Sequence, residues 1–144
     1  MDIALVVATK SKDPNTHVGA VLIDPDNKIV ATGYNGMIAG VDEKYMWDVK
    51  HPFVIHAEMN ALLYAGREAR GCRMYITHAP CSQCLKHLFQ AGVKVVLYDK
   101  LTTKSKRPDS ELNVLRVMMA STNCLVRNIN TDKTMMEESN EQVV

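Results

Sequence analysis

At 144 residues the chain is long enough for one domain with a real core and short for two. Its 17 basic and 16 acidic residues nearly cancel to +1, which argues against a nucleic-acid partner, since such proteins show a strong basic excess or stripe. No run of about eighteen apolar residues and no basic-then-apolar leader is present, so the expectation is a soluble, intracellular protein without a membrane partner.

Ile3, Val6, Val7 and Lys10 follow helical spacing, and Asp2 suits the positive end of that short first helix. Lys12-Asp13-Pro14-Asn15 ends it, because proline disfavours helix in the residue before it. Val18 to Ile23 reads as a buried strand. Asp24-Pro25-Asp26-Asn27 is turn chemistry, and Lys28 to Tyr34 is the returning strand of a hairpin. From Gly36 to Ile55 no helix or strand pattern convinces, yet the stretch holds Tyr45, Trp47 and Phe53. It is either a lid or binding loop, or a surface loop pinned by its aromatics.

His56 to Tyr64 is predicted helical, with Gly66 weakening it and Gly71 capping its end. Cys72 to Thr77 is a strand, and Pro80 opens the next helix from a first-turn position, with Cys81 and Cys84 on one face and Gly92 as the stop. Val93 to Tyr98 is a strand and Thr102 to Pro108 a polar connection. Leu112, Leu115, Val117 and Met119 suggest a last helix, and Cys124 to Ile129 a last strand, which a helical crossover allows to lie parallel to its predecessor. The expected fold is α/β, three α/β/α layers around one five-stranded mixed sheet. The domain is expected over residues 1–130, followed at 131–144 by a polar, acidic tail that is frayed or forms a short surface helix around Met135.

The chemistry concentrates in His56-Ala57-Glu58 and Pro80-Cys81-Ser82-Gln83-Cys84. A neutral imidazole and two thiolates suit zinc, and three protein ligands leave the fourth tetrahedral position open, as catalytic sites do. Glu58 stands beside that position without being needed as a ligand. His-x-Glu followed by Pro-Cys-x-x-Cys is the known signature of the zinc nucleobase deaminases. Zinc makes water acidic enough to attack a ring carbon bearing an exocyclic amine, and Glu58 can move the protons. A structural zinc knot would need a fourth ligand from His51, His78, Cys72 or Cys124, none of which has ligand spacing. Cys72 and Cys124 read instead as small buried hydrophobes. His17, His51, His78 and His87 read as structural or surface residues.

Over about residues 3–129 the chain resembles the deoxycytidylate deaminases of the cytidine deaminase-like superfamily. The resemblance lies in Ser11-Lys12-Asp13-Pro14-Asn15, Val18-Gly19-Ala20, Gly33-Tyr34-Asn35-Gly36, His56-Ala57-Glu58-Met59-Asn60-Ala61 and Pro80-Cys81-x-x-Cys84. It implies deamination of dCMP to dUMP, which supplies thymidylate synthesis; a bifunctional dCMP/dCTP deaminase is the alternative. It also implies that His56, Cys81 and Cys84 hold zinc, that Glu58 shuttles protons, that the Ala57 N–H reads the pyrimidine carbonyl and that Asn35 contacts the sugar. Similar enzymes are often hexamers, activated by dCTP and inhibited by dTTP at a subunit-interface site. Gly33, Gly36, Asn60 and Arg67 are the candidates here, with Mg²⁺ accompanying a triphosphate effector.

Lys10 and Lys12 beside Ser11 and Thr16 either hold the 5′-phosphate or are solvated. Tyr34 either walls the pocket or belongs to the core. Two departures from the family stand out. The segment after the fourth long strand, Asp99 to Thr103, lacks an aromatic residue that relatives often carry, and no cysteine precedes Cys72, so one metal is expected. The compact form resembles viral and phage versions. Competing readings are a tRNA or nucleic-acid base deaminase, which would add a basic surface, and a non-enzymatic zinc module, which would have no use for Glu58.

Overall fold

The structure is a computed structural model that describes residues 1–47, 50–100 and 107–141. In chain order it contains helix α1 (Asp2–Ala8), strands β1 (Gly19–Ile23) and β2 (Ile29–Tyr34), the two-residue strands β3 (Gly36–Met37) and β4 (Val54–Ile55), and helix α2 (Ala57–Ala65). Strand β5 (Arg73–His78), helix α3 (Ser82–Gln90), strand β6 (Val95–Lys100), helix α4 (Asp109–Thr122), strand β7 (Leu125–Asn128) and helix α5 (Met135–Glu141) follow. Single 3-10 turns occupy Glu43–Met46 and Gly66–Ala69.

The main sheet has five strands in the order β2-β1-β5-β6-β7, antiparallel on the β2-β1-β5 side and parallel from β5 to β7. The expected mixed sheet is therefore observed, including the parallel last pair. Alternate strand residues point to opposite faces. Ala31, Leu22, Met74, Val96 and Val126 lie side by side across the register and are all buried in one apolar cluster.

Two glycines fix the helices against this sheet. A Cβ on Gly33 would stand 2.3 Å from the Ala57 carbonyl oxygen and 2.4 Å from the Ala61 nitrogen, so α2 rides directly on β2. A Cβ on Gly19 would stand 2.0 Å from the Ala4 carbonyl oxygen. Gly19 and Gly33 are one step out of register and thus on opposite faces, which puts α1 and α2 on opposite sides of the sheet. Helix α3 packs beside α2, and α4 beside α3. Leu85, Leu88 and Leu115 of these helices join the apolar cluster. On the second face α1 covers β1, β2 and β5.

Some elements differ from expectation. The segment from Gly36 to Ile55 carries some regular structure: β3 and β4 pair antiparallel, and Tyr45 packs against Phe53 with ring centroids 5.4 Å apart and planes tilted by 42°. Gly66, with φ +55, already ends α2, so Gly71 is not its cap. Helix α3 starts at Ser82 with Cys81 as its N-cap, so Pro80 lies just outside it, because the Cys81 sulfur accepts the Cys84 N–H and takes the capping role. Of the two expectations for the segment after residue 130, the short helix around Met135 is observed, as α5 (Met135–Glu141), and its inner side is not superficial. Met135 is buried in the core cluster, and Glu138 accepts hydrogen bonds from the buried Tyr98 hydroxyl and from Thr131. The polar connection expected from Thr102 to Pro108 lies outside the described residues up to position 106, as does the end of the expected tail after 141. No described helix is long and apolar enough to cross a membrane.

Candidate metal centre and its cavity

Two helix starts bring the key side chains together. His56 immediately precedes α2 and Cys81 immediately precedes α3, both in extended backbone, so their side chains stand at the helix N-termini. Glu58 lies in the first turn of α2 and Cys84 in that of α3. The result is a cluster of His56, Glu58, Cys81 and Cys84 whose ligand atoms all lie within 4.8 Å of one another.

The finer geometry suits a tetrahedral ion. His56 Nδ1 is 3.6 Å from Cys81 Sγ and 3.5 Å from Cys84 Sγ. Nitrogen and sulfur donors on one tetrahedral zinc stand roughly 3.6 Å apart, given Zn–N and Zn–S bonds of about 2.0 and 2.3 Å. The ring therefore presents Nδ1, not Nε2, to the sulfurs. The Glu58 carboxylate lies 3.9 Å from the same nitrogen.

Charge in the cluster is strongly uneven. A hydrogen bond from the Cys84 thiol stabilises the Cys81 thiolate and pulls its pKa down to about 4, while donating that proton pushes Cys84 up. The hydrogen bond to Cys81 raises His56. Burial raises Glu58, which is almost completely enclosed at 3% exposure. Two sulfurs sharing one proton beside an imidazole form a donor set that a divalent cation can replace that proton to satisfy.

A cavity of about 460 Å³ opens onto the cluster, with Ala57, Thr16, Asn35 and Ile76 in its wall. Asp13, Lys50, His51, His78, Arg107 and Glu111 supply its remaining polar lining.

Residues 1–100 match the cytidine and deoxycytidylate deaminase zinc-binding region. The chain belongs to the cytidine and deoxycytidylate deaminase family. Human deoxycytidylate deaminase is 42% identical over 108 residues, covering 68% of this chain and 61% of the human protein. The deoxycytidylate deaminase of phage T2 is 28% identical over 152 residues, covering 74% and 80%. Among solved structures, the dCMP deaminase of cyanophage S-TIM5 in complex with dCMP and dUMP superposes with a TM-score of 0.65 at 29% identity, covering 81% of this chain and 87% of that one. The chain spans about three fifths of the length of the vertebrate relatives it matches, 61% for the human protein.

The structure distributes the other residues singled out by sequence less evenly. Ala57 is fully buried, lines the cavity and is the first residue of α2, where a helix has no internal acceptor for the N–H. Asn35 also lines the cavity, but its side chain is engaged: Oδ1 accepts the Val18 N–H and Nδ2 donates to the Thr16 carbonyl, each at 2.8 Å. It holds the 16–18 loop against the site.

Ser11 and Lys12 are placed outside the lining. The Ser11 hydroxyl is buried and donates to the Asn35 carbonyl at 2.8 Å, and Lys12 is an exposed side chain paired with Glu43. Tyr34 neither walls the cavity nor enters the core; it sits 43% exposed at the end of β2. Gly33 is a contact point for α2, and Asn60 of α2 donates to the Tyr34 carbonyl at 2.8 Å. Gly36 has only the Tyr34 ring near it, and Arg67 lies exposed on the turn after α2.

Sequence reasoning missed Lys50, Arg107 and Glu111, and placed His51 and His78 away from the site. The signals were faint: Lys50 and His51 are in the long loop read either as a lid or binding loop or as a surface loop, and Arg107 and Glu111 have the i,i+4 spacing of a helix ion pair.

Proposed function

We propose that this chain is a zinc-dependent hydrolase that deaminates dCMP to dUMP. One observation carries the reading: a buried carboxylate, Glu58, is held in a cluster with one imidazole and two sulfurs at the wall of a nucleotide-sized cavity. The names of the human and phage relatives, and the nucleotides in the cyanophage complex, support the substrate.

In this reading His56 Nδ1, Cys81 and Cys84 hold the ion. Bound zinc supplies a Lewis acid that makes water reactive at neutral pH. Glu58, whose burial raises its affinity for a proton, takes one from the attacking water. It passes that proton to the ring nitrogen, then takes the second from the hydroxyl now on the ring carbon and passes it to the amino group, which leaves as ammonia as the carbonyl forms. The Ala57 N–H donates to the pyrimidine carbonyl, and Asn35, already fastened to the 16–18 loop, meets the sugar. Lys50 and Arg107 line the cavity, each paired there with a carboxylate, Asp13 and Glu111.

The regulatory part rests on the resemblance: dCTP, with Mg²⁺, as activator and dTTP as inhibitor, at a subunit interface near Gly33, Gly36, Asn60 and Arg67. Self-association, as a hexamer by the same resemblance, is supported by Val6, Leu63 and Tyr64, which stand 66%, 67% and 82% exposed on α1 and α2. Purified protein incubated with dCMP, dCTP, CMP and deoxycytidine, with ammonia release followed, tests the activity. Preferred turnover of dCMP is expected, and release from deoxycytidine alone would overturn the nucleotide reading.

A further inference from the structure

The backbone around Cys81 is gripped on both sides by two residues from a distant element. Arg107 Nη2 donates to the Pro80 carbonyl oxygen at 2.6 Å. Arg107 Nη1 donates to Glu111 Oε1 at 2.7 Å, and the same Oε1 accepts the Ser82 N–H at 3.4 Å. The guanidinium and the carboxylate thus bridge residues 80 and 82, immediately before and after Cys81. Both side chains are mostly covered, at 20% and 27% exposure, and none of the proposed chemical steps uses them.

The arrangement answers a local need. The Cys81 sulfur caps the Cys84 N–H, which leaves the Ser82 N–H at the start of α3 to another acceptor, and Glu111 supplies it from α4. The forked guanidinium is suited to the other half of the bridge, because one rigid group reaches two acceptors at a fixed spacing. A lysine ammonium is a point donor on a flexible stem.

We propose that Arg107 and Glu111 are positioning residues for the metal centre: they hold the Pro80-Cys81-Ser82 turn so that the Cys81 sulfur meets Cys84 and His56 Nδ1 at ligand spacing. The proposal rests on the zinc reading and extends it to a support outside both motifs. It also ties the centre to the N-terminal end of α4, so that movement of α4 displaces one ligand while leaving His56 and Cys84 on their own helices.

The test uses the full chain as Arg107→Met, Arg107→Lys and Glu111→Ala. Zinc affinity is measured by chelator competition, and thiolate ligation by the charge-transfer absorption of the cobalt-substituted protein. Supports of this kind typically contribute 10–100-fold to metal affinity. Arg107→Met is expected to weaken zinc by roughly that factor and to diminish the sulfur-to-cobalt band, with Arg107→Lys intermediate and Glu111→Ala, which removes the shared acceptor oxygen, weakened in the same direction. If Arg107→Met does not fold, Arg107→Lys and Glu111→Ala decide by the same two readouts. Wild-type zinc affinity and an unchanged cobalt spectrum in the folded variants would overturn the clamp while leaving the zinc reading intact, even if thermal stability fell. A wild-type protein that takes up no zinc would overturn the zinc reading and the clamp together.

Discussion

Replacing Gly33 by alanine places a methyl group between β2 and α2 at the helix that carries Glu58. The new Cβ would stand 2.3 Å from the Ala57 carbonyl oxygen and 2.4 Å from the Ala61 nitrogen, where ordinary contact begins at 3.4 Å. Both obstructing atoms are backbone, so no rotamer change relieves them, and the helix must recede by roughly 1 Å. Overpacking of this kind costs about 3 kcal/mol, the upper end of the usual range. For a domain of this size that lowers the melting midpoint by on the order of 10 °C. The same displacement moves His56 and Glu58 relative to Cys81 and Cys84, and a misplacement of about 1 Å can cost roughly a hundredfold in rate. Thermal unfolding and ammonia release from dCMP are the assays. Gly36→Ala serves as the stability control, since its Cβ meets only the Tyr34 ring at 3.7 Å, and its midpoint should shift by about 1 kcal/mol equivalent or less. A Gly33→Ala protein with wild-type midpoint and turnover would refute the argument that α2 is seated on β2 through this glycine.

Asp13 receives Lys50 Nζ on both carboxylate oxygens, at 2.6 and 2.7 Å, and the N–H groups of Asn15 and Thr16. Burial pushes its carboxyl up, but these partners outweigh it and hold the pKa below the ordinary value. The stability this gives is complete above the unfolded carboxylate pKa of about 3.9 and is lost as pH falls through the lower folded value. Asp13→Asn should therefore cost about 3 kcal/mol at neutral pH, with the gap to wild type closing in acid; a gap that persists unchanged below about pH 3 would contradict this. Arg67→Glu should weaken self-association or the response to dTTP with zinc content normal. Unchanged oligomer mass by light scattering, together with unchanged dTTP inhibition and dCMP affinity, would return Arg67 to the solvent.

Much of the candidate site was legible because the side chains that cluster there are close in sequence and of distinctive type. His56 with Glu58, and Cys81 with Cys84, each occupy one helix start, and chemistry that needs an imidazole and thiolates leaves few substitutes. The parallel direction of the last two strands was legible from the intervening helix. The β3–β4 pair was not, because two residues in each strand carry no periodicity. Lys50 and Arg107 were hidden for a different reason. Each is a cation in irregular chain whose role depends on a distant partner: Asp13 lies 37 positions from Lys50, and the Pro80 carbonyl 27 from Arg107. The docking of Met135 was masked by its polar surroundings, since the local composition describes the exposed face of α5 and not the Met135 side chain that enters the core with Met136 packed against it. Ser11 illustrates the converse. A hydroxyl in a motif beside lysines suggests a ligand contact, but its hydrogen-bonding capacity goes to the Asn35 carbonyl and the Asp13 N–H.

The central claim is that Glu58 moves protons at a metal held by its neighbours and does not itself hold that metal. Glu58→Gln keeps the size and the hydrogen-bonding oxygen of the side chain but cannot accept and return a proton. Zinc content and dCMP turnover measured on the same preparation separate the two roles. Zinc per chain should equal that of the wild type while turnover falls by at least about a hundredfold, the usual scale for a general acid–base group. Near-wild-type turnover with zinc retained would contradict the account.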